Sequence, residues 1–250
     1  MLTPERHQII LDLINEKGVI KLQELVDATA SSESTIRRDL SQLEDEKKVK
    51  RVHGGASLLK QKSVELSISE KSLQNYNEKE MIAKFAASLI RNGDCIFLDA
   101  GTTVLQMIPH ITAKEIKVVT NGLTHLDALL EQGIDTYLTG GFIKQKTRAL
   151  IGKGALEAIK QYHFDKCFIG VNGIHSEYGF TTPDPEEAMI KKSAINLSQE
   201  IFILGDHTKF NEVTFAQITE LKQGVIITNE SDEDILAPFM EKTTIKVVTS

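Results

Sequence analysis

The chain of 250 residues has no tryptophan, only two cysteines and no long apolar run. Its apolar stretches, such as GVIIT at 224–228, are far shorter than the roughly 20 residues of a membrane-spanning helix. The first residues, MLTPERHQII, lack the apolar stretch behind a basic flank that marks a secretory signal. These absences argue against a membrane or secreted protein, and we expect the chain in the cytoplasm.

The few cysteines also exclude some chemistry. Cys95 and Cys167 lie inside the apolar runs DCIFLD and DKCFIG, which favours small buried side chains on strands. No spacing of Cys and His resembles a metal site. We therefore expect neither a metal nor a cofactor.

The net charge of -6 is unevenly distributed. Residues 1–60 contain 10 basic and 10 acidic residues, so the excess of acid lies in the rest of the chain. Six basic residues lie within 37–51: Arg37, Arg38, Lys47, Lys48, Lys50 and Arg51. Because nucleic-acid binding depends on a local basic patch, the overall acidity does not exclude it.

Residues 1–57 are typical of a small helical domain with a β-wing. A first helix starts at Thr3-Pro4 and stops near Gly18, and a second lies in KLQELVDA. Ser32 caps a third helix that runs to about Glu46, and VKRVHGGA alternates like a short wing. This order predicts a winged helix-turn-helix.

The third helix carries its charges on one face. At about 100° per residue, Ile36, Leu40 and Leu43 form the buried stripe. The opposite face carries small hydroxyls and guanidinium groups, which suit phosphates and guanine edges: Ser34, Arg37, Arg38 and Ser41. The wing adds Lys50, Arg51 and His53. An isolated arginine pair could be a plain solvated face, but this layout predicts binding to double-stranded DNA.

Residues 58–76 show no clear period and are predicted to be a linker. From residue 77 an α/β pattern begins. Strands are predicted at 95–99, 116–120, 135–139, 166–170, 201–205, 225–228 and 245–249. Helical patterns separate most of them, so residues 77–250 are predicted to form an α/β domain with a largely parallel sheet.

The stretch LDAGTTVLQM, 98–107, is the best candidate for a ligand site. A strand, a glycine turn and a helix start place amides and hydroxyls at Gly101, Thr102 and Thr103, which suits an anion. An ordinary turn capped by threonines would have the same sequence pattern. Other polar loops follow strands at the same sheet edge, and they add the candidate cations Lys209 and Arg148. Lys209 could equally be a solvated surface lysine.

The stretch ESTIRRDLSQLEDEKKVKRVHGGA resembles the N-terminal signature of the DeoR family of bacterial repressors. The resemblance implies that Thr35, Arg37 and Arg38 face DNA. It also places Arg51, His53 and Gly54 in the wing. The family usually has Val before the serine that begins the third helix, whereas Ala30-Ser31 stands here.

The resemblance covers nearly the whole chain and implies an effector domain similar to ribose-phosphate isomerase and glucosamine-phosphate deaminase folds, which senses phosphorylated sugars. The positions that would then line the pocket are Asp99, Gly101, Thr102, Thr103, Asn121, Gly140, Gly141, Arg148, Asn172 and Lys209.

A further stretch, GFTTPDPEEAMIKK at 179–192, resembles the fructose operon repressors of Gram-positive bacteria. It implies fructose 1-phosphate as the effector. Glu187 and Lys191 lie four residues apart on one helix face and could reach the sugar, or could form a plain surface ion pair.

Two other functions fit the sequence less well. A sugar-phosphate isomerase needs a base over the reacting carbon, but GVNGI at 170–174 has no carboxylate where those enzymes carry paired acids. A scaffold whose second domain only forms oligomers would leave the Gly/Thr loops unexplained. We therefore expect a homo-oligomeric repressor, a dimer or tetramer, that a phosphorylated sugar releases from its operator.

Overall fold

The computed structural model describes residues 2–17, 19–46, 48–52, 54–58 and 66–249. The chain divides into an N-terminal unit, residues 1–62, and a C-terminal unit, residues 63–250. The sequence predicted domains at 1–57 and 77–250 with a linker between them. These domain limits remain a prediction. The structure places a helix in the second half of the predicted linker.

The N-terminal unit is built from three helices and a small sheet. Its elements are α1 (Thr3–Lys17), β1 (Val19–Lys21), α2 (Leu22–Thr29), α3 (Glu33–Asp45), β2 (Val49–Val52) and β3 (Gly55–Leu58). The antiparallel sheet has the order β1-β3-β2, so the wing has a third strand that the sequence did not predict. β1 has only three residues, too few to show an alternating pattern.

The third helix begins and packs as predicted. The Ser32 Oγ accepts a hydrogen bond from the Thr35 amide at 3.3 Å, which caps α3. Ile36, Leu40 and Leu43 are fully buried in a core shared with Ile10 and other aliphatic residues of α1 and α2. The opposite face of α3 is therefore left to solvent.

The C-terminal unit alternates strands and helices. In chain order its elements are α4 (Ile68–Leu73), α5 (Tyr76–Ser88), β4 (Cys95–Leu98), α6 (Thr102–Leu105), β5 (Lys117–Thr120), α7 (Leu126–Glu131), β6 (Asp135–Leu138), β7 (Phe142–Ile143), β8 (Leu150–Ile151), α8 (Gly152–Ile159), β9 (Phe164–Gly170), β10 (Gly173–His175), β11 (Gly179–Thr182), α9 (Pro185–Asn196), β12 (Ser198–Leu204), β13 (Ala216–Thr219), β14 (Val225–Thr228), α10 (Glu233–Met240) and β15 (Ile245–Val247).

All seven predicted strands lie in one parallel sheet, in the order β15-β14-β12-β9-β4-β5-β6. Alternate residues of its strands enter two different cores. Phe97 and Cys167 pack on one face with α8, α9 and α10, and Ile96 and Phe168 pack on the other with α5 and α6. Helices thus cover both faces, which confirms the predicted α/β fold and leaves the carboxyl edge of the sheet to the loops.

Short antiparallel elements lie beyond the main sheet. β10, β11 and β13 form a three-stranded sheet, and β7 pairs with β8.

Both cysteines are free thiols, and burial raises the pKa of Cys167 to about 12. Cys95 is only partly buried. Across the described ranges, no helix is long and apolar enough to cross a membrane, and no cluster of three or more metal-ligating side chains occurs.

Candidate functional sites

The solvent face of α3 presents the predicted side chains. Ser34, Arg37 and Arg38 are exposed, whereas Thr35 and Ser41 are partly buried. The Arg37 guanidinium donates to Glu33 Oε1, with Nε at 3.0 Å and Nη2 at 2.5 Å. The pair is exposed, so it contributes little to stability, and breaking it so that Arg37 can contact a phosphate costs little free energy.

The wing is attached to the same helix. The Arg51 amide donates to Glu44 Oε1 at 2.8 Å, and Arg51 Nη1 donates to Ser41 Oγ at 2.9 Å. Lys50 is partly buried, and Gly54 has a φ of +74°, which suits a glycine turn. His53, also predicted for this site, lies outside the described residues. One basic side chain of the wing thus lies against the helix face that carries Arg37.

A buried ion pair that was not predicted joins α3 to α1. Asp39 accepts from Arg6 Nε at 2.5 Å and from Arg6 Nη2 at 2.9 Å, and His7 Nε2 lies 3.3 Å away. Burial would raise the pKa of Asp39, but the hydrogen bonds and charge of Arg6 hold that pKa below its ordinary value. A helical projection puts Asp39 about 40° from Leu43. An acidic residue on the apolar stripe was therefore the sequence feature that could have predicted a buried ion pair.

The loop after β4 is the centre of the second candidate site. Asp99, 1% exposed, accepts from the Gly170 amide at 3.1 Å and from Lys191 Nζ at 2.5 Å. The backbones of Gly101 and Gly170 approach closely, since a methyl group on Gly101 would lie 3.5 Å from Gly170 Cα. The loops after β4 and β9 therefore meet.

Thr102 and Thr103 open α6, and within residues 66–249 their hydroxyls form no hydrogen bond with the protein. Both residues are mostly buried, at 9% and 8% exposure. α6 has only four residues, so its dipole adds little at this turn. The groups of this turn that can bind an anion are therefore hydroxyls and backbone amides.

Asn121 joins two of the loops. Its Oδ1 accepts from the Ala100 amide at 3.1 Å and its Nδ2 donates to Leu150 O at 3.3 Å, so its polar groups are used inside the protein. Beside it, His125 is fully buried, and its Nδ1 lies 3.1 Å from Thr120 Oγ1. Burial lowers the pKa of His125 to about 4, so this ring is neutral at pH 7. No sequence pattern pointed to it.

The loops around β7 supply the glycines and Arg148. Gly140 and Gly141 have φ values of +67° and +103°, and a Cβ on Gly141 would lie 2.6 Å from Ile151 O. Only glycine fits there. Arg148 is exposed with a φ of +53°, and its carbonyl accepts from the Leu123 amide at 3.1 Å.

Glu187 and Lys191 are not a surface ion pair, because both are buried, at 7% and 5% exposure. Glu187 accepts from Thr147 Oγ1 at 2.7 Å and Lys144 Nζ at 3.0 Å, whereas Lys191 pairs with Asp99. Burial would raise the pKa of Glu187, but Lys191 and Lys144 hold it below its ordinary value. Lys144, which also pairs with Asp184 at 2.7 Å, was missed from the sequence.

Asn172 and Lys209 lie on the loops after β9 and β12. Asn172 is partly buried, and its Oδ1 accepts from Thr182 Oγ1 at 3.3 Å. Lys209 is partly exposed, and its Nζ lies 3.6 Å from Asp206 Oδ2. Asp99 and Asp206, two buried acids on the carboxyl-edge loops, each face a lysine: Lys191 at 2.5 Å and Lys209 at 3.6 Å.

These observations define a class: a winged helix-turn-helix unit with an exposed basic helix face, in one chain with an α/β unit that has polar loops at its carboxyl edge. Residues 6–62 match the DeoR-like helix-turn-helix domain, and residues 74–230 match the DeoR C terminal sensor domain. The chain belongs to the DeoR family and is a helix-turn-helix transcriptional repressor.

Two relatives that match nearly the whole chain are named as a transcriptional regulator and a transcriptional repressor. The chain is 50% identical over 249 residues to the regulator FruR of Bacillus subtilis, covering 99% of both chains. It is 32% identical to the repressor GlcR of the same organism, covering 100% of this chain and 97% of GlcR. Ribose 5-phosphate isomerase A from Neisseria gonorrhoeae matches 52% of each chain at 12% identity and a TM-score of 0.40, which assigns no activity. The named relatives indicate a regulator rather than an enzyme.

Proposed function

We propose that the protein represses a sugar-utilisation operon and that a phosphorylated sugar, fructose 1-phosphate, releases it from operator DNA. The observation that carries the sensor assignment is the pair of threonine hydroxyls at the start of α6, which have no protein partner within residues 66–249. Lys209, from another carboxyl-edge loop, supplies a positive charge for the phosphate.

The structure suggests how the remaining predicted residues contribute. The polar groups of Asp99, Asn121, Glu187 and Lys191 are engaged within the protein, so we propose that they hold the loops in shape. Thr102, Thr103 and Lys209 are then the direct phosphate contacts. Arg148, exposed on its loop, is a second cation for the ligand.

The choice of fructose 1-phosphate rests on the resemblance of residues 179–192 to fructose operon repressors. The 50% identity to a regulator named FruR supports it. For DNA, we propose a dimer, because helix-turn-helix proteins of this kind read two half-sites about 34–36 Å apart or a multiple of it.

A titration of operator binding by fluorescence anisotropy tests the effector. Fructose 1-phosphate should release the DNA at lower concentration than fructose, fructose 6-phosphate, glucose 6-phosphate or inorganic phosphate. A thermal-unfolding panel provides an independent measurement, since a ligand at 100 times its Kd stabilises by about 2.7 kcal/mol. Release by another sugar phosphate at lower concentration would contradict the fructose assignment. Release by none of them would contradict the sensor assignment.

Two substitutions test the anion site. Thr103→Val keeps the shape but removes a hydroxyl, and Lys209→Ala removes a charge, so both should repress without responding to the sugar phosphate. Thr112→Val and Lys114→Ala are matched controls at exposed positions before β5, at the amino end of the sheet. If both test variants respond at the wild-type concentration, the phosphate binds elsewhere.

A further inference from the structure

The main sheet ends at β6 on one side and at β15 on the other. Among the residues that the structure describes, β5 is the only strand that pairs with β6. Asp135, Tyr137 and Leu138 of β6 are exposed, although strands of a parallel sheet covered by helices are normally buried. β6 therefore presents an edge to which a further strand can be added.

The hydrogen bonds around β6 show which of its backbone groups point outward. The Thr139 amide donates to Thr120 O at 3.0 Å, in the direction of β5. Because backbone groups alternate in direction along a strand, those of Thr136 and Leu138 point away from β5. The Ile134 carbonyl also points away from β5, but it accepts from Thr136 Oγ1 at 2.9 Å. The groups that a further strand can use are thus those of Thr136 and Leu138.

Large apolar side chains are exposed on β6 and on β7, which follows it after a short turn. Tyr137 and Leu138 are 47% and 37% exposed, and Phe142 and Ile143 are 68% and 47% exposed. At roughly 150–250 Å² for a whole side chain, the exposed parts amount to about 300–500 Å². Each partner of a standard interface buries about 800 Å², a little over half of it apolar. These side chains therefore have the area of the apolar part of such an interface.

We propose that β6 joins two copies of this chain, by pairing with β6 of the second copy across a twofold axis. The inference goes beyond the proposed function, which requires two copies but assigns no surface to them. The paired strands are antiparallel, because in that ladder two residues exchange equivalent hydrogen bonds, as a twofold contact requires. The main sheets of the two copies then form one continuous sheet.

The outward backbone groups determine the register of this pair. Thr136 of one copy exchanges hydrogen bonds with Leu138 of the second copy, so that Tyr137 lies opposite Tyr137 with the Cα atoms about 4.5 Å apart. A register centred on Thr136 would use the Ile134 carbonyl, which is already engaged. A register centred on Leu138 would use Gly140, whose φ of +67° is not that of a strand. The pair is therefore centred on Tyr137.

The side chains of β6 suit this register. An uncharged tyrosine lies opposite its own copy, and Asp135 lies opposite Thr139 instead of another acid. Tyr137 already packs against Tyr162, with the ring centroids 5.8 Å apart. Pairing of the two copies thus brings further aromatic rings together on one face of the sheet, which stabilises cross-strand pairs.

The opposite edge of the sheet does not suit such a pair. The Val248 amide donates to Thr228 O at 2.8 Å, so the same alternation centres a twofold pair of β15 strands on Lys246. Two lysines would then lie directly opposite each other, which destabilises a strand pair. The charges of the two edges therefore favour β6 as the contact.

The association of the full-length protein, without DNA or effector, tests this surface. Tyr137→Lys places two lysines opposite each other across the axis. Tyr178→Lys is the matched control, because Tyr178 is 55% exposed and packs against His175 with the ring centroids 5.0 Å apart. Sedimentation velocity over a series of protein concentrations gives the mass and the Kd of association for the wild type and the variants.

Tyr137→Lys should raise the Kd of association by about ten-fold or more, because like charges face each other, whereas the control should associate as the wild type does. Tyr137→Glu alone should have the same effect as Tyr137→Lys. An equimolar mixture of these two variants should recover the wild-type mass, because opposite charges then face each other. A variant that had only misfolded would not recover on mixing.

A disulfide tests the register directly. Cα atoms about 4.5 Å apart lie within the range of roughly 4.4–6.8 Å that disulfides span, so Tyr137→Cys should form a covalent dimer under mild oxidation. Tyr178→Cys and the wild type, which contains Cys95 and Cys167, should not.

Wild-type association of Tyr137→Lys, no recovery of mass on mixing, or no covalent dimer of Tyr137→Cys overturns the inference. If the wild type associates in spite of such a result, the proposed dimer stands and its contact lies elsewhere. A monomeric wild type overturns both this surface and the proposed dimer. Release of operator DNA by a sugar phosphate is measured separately, so the sensor assignment does not depend on this result.

Discussion

Removing Asp39 should destabilise the DNA-binding unit and leave the stability of the sensor unit unchanged. In Asp39→Ala the Arg6 guanidinium stays in a site where the side chains are 10% and 4% exposed, but it loses the carboxylate that accepts two of its hydrogen bonds. Breaking one side of a buried ion pair costs about 3–5 kcal/mol. We expect about 3 kcal/mol, the lower limit, because the unit is small and solvent lies close to the pair.

That loss is large for a unit of 62 residues. At roughly 0.05–0.15 kcal/mol per residue, its whole stability is about 3–9 kcal/mol. A loss of about 3 kcal/mol raises the unfolded fraction about 150-fold. The double variant Arg6→Met with Asp39→Leu should recover most of the stability, because an apolar pair of similar volume needs no counter-charge.

The aromatic residues allow the two units to be measured separately. All four Tyr and all ten Phe lie after residue 75, so tyrosine fluorescence reports on the C-terminal unit alone. Hydrogen exchange of residues 2–46 reports on the N-terminal unit. Asp39→Ala should speed exchange there and leave the fluorescence transition unchanged. Exchange within about two-fold of the wild type, where about 150-fold is expected, would refute the role of the pair.

The same pair predicts a pH dependence. The pKa of Asp39 is lower in the folded protein than in the unfolded chain, so the pair stabilises fully above the unfolded value, about 3.9. The stabilisation is lost as the pH falls from there through the folded pKa. As the pH falls below about 4, the wild type should therefore lose stability relative to the double variant, which has no carboxyl group at position 39 to protonate.

Arg38→Ala should weaken operator binding by about 1–3 kcal/mol without changing thermal stability, because the side chain is exposed and lies opposite the buried stripe. Unchanged affinity in a gel shift would contradict the assignment of this helix face to DNA. Lys191→Met leaves Asp99 buried without a counter-charge and should destabilise the C-terminal unit by about 3 kcal/mol, seen as a lower urea midpoint by tyrosine fluorescence. Gly141→Ala should destabilise the same unit more than Gly133→Ala, because both have a positive φ but only the added Cβ at 141 meets backbone atoms; equal midpoints would contradict this.

The elements predicted well from the sequence are those with a strong local pattern. The inner strands of the main sheet are buried and appear as apolar runs, and the more exposed edge strands β6 and β15 were also found. The Ser32 cap and the Ile36, Leu40 and Leu43 stripe likewise located α3. By contrast, β1, β7 and β10 have two or three residues, too few for a pattern. β1 pairs with β3, more than 30 residues later, whereas β7 and β10 pair with the strands that follow them in the chain.

The sites show the same division. The loops that follow strands could be placed at one edge, since parallel strands share a direction. The partners of Asp99 and Asp39 could not be predicted, because Lys191 is 92 residues from the first and Arg6 is 33 residues from the second. Sequence spacing placed Glu187 and Lys191 on one helix face, but it carried no information about Lys144 and Asp99, which engage them in the structure.

The position of β3 in the wing has a consequence for synthesis on the ribosome. β3 lies between β1 and β2, and its residues are the last of the small sheet to be made. Once Gly55–Leu58 emerge, the sheet closes over a core that draws only on the N-terminal unit. At 5–20 residues per second, the C-terminal unit follows over roughly 10–40 s. During that interval the nascent chain carries a folded DNA-binding unit whose DNA binding no sensor unit can yet control.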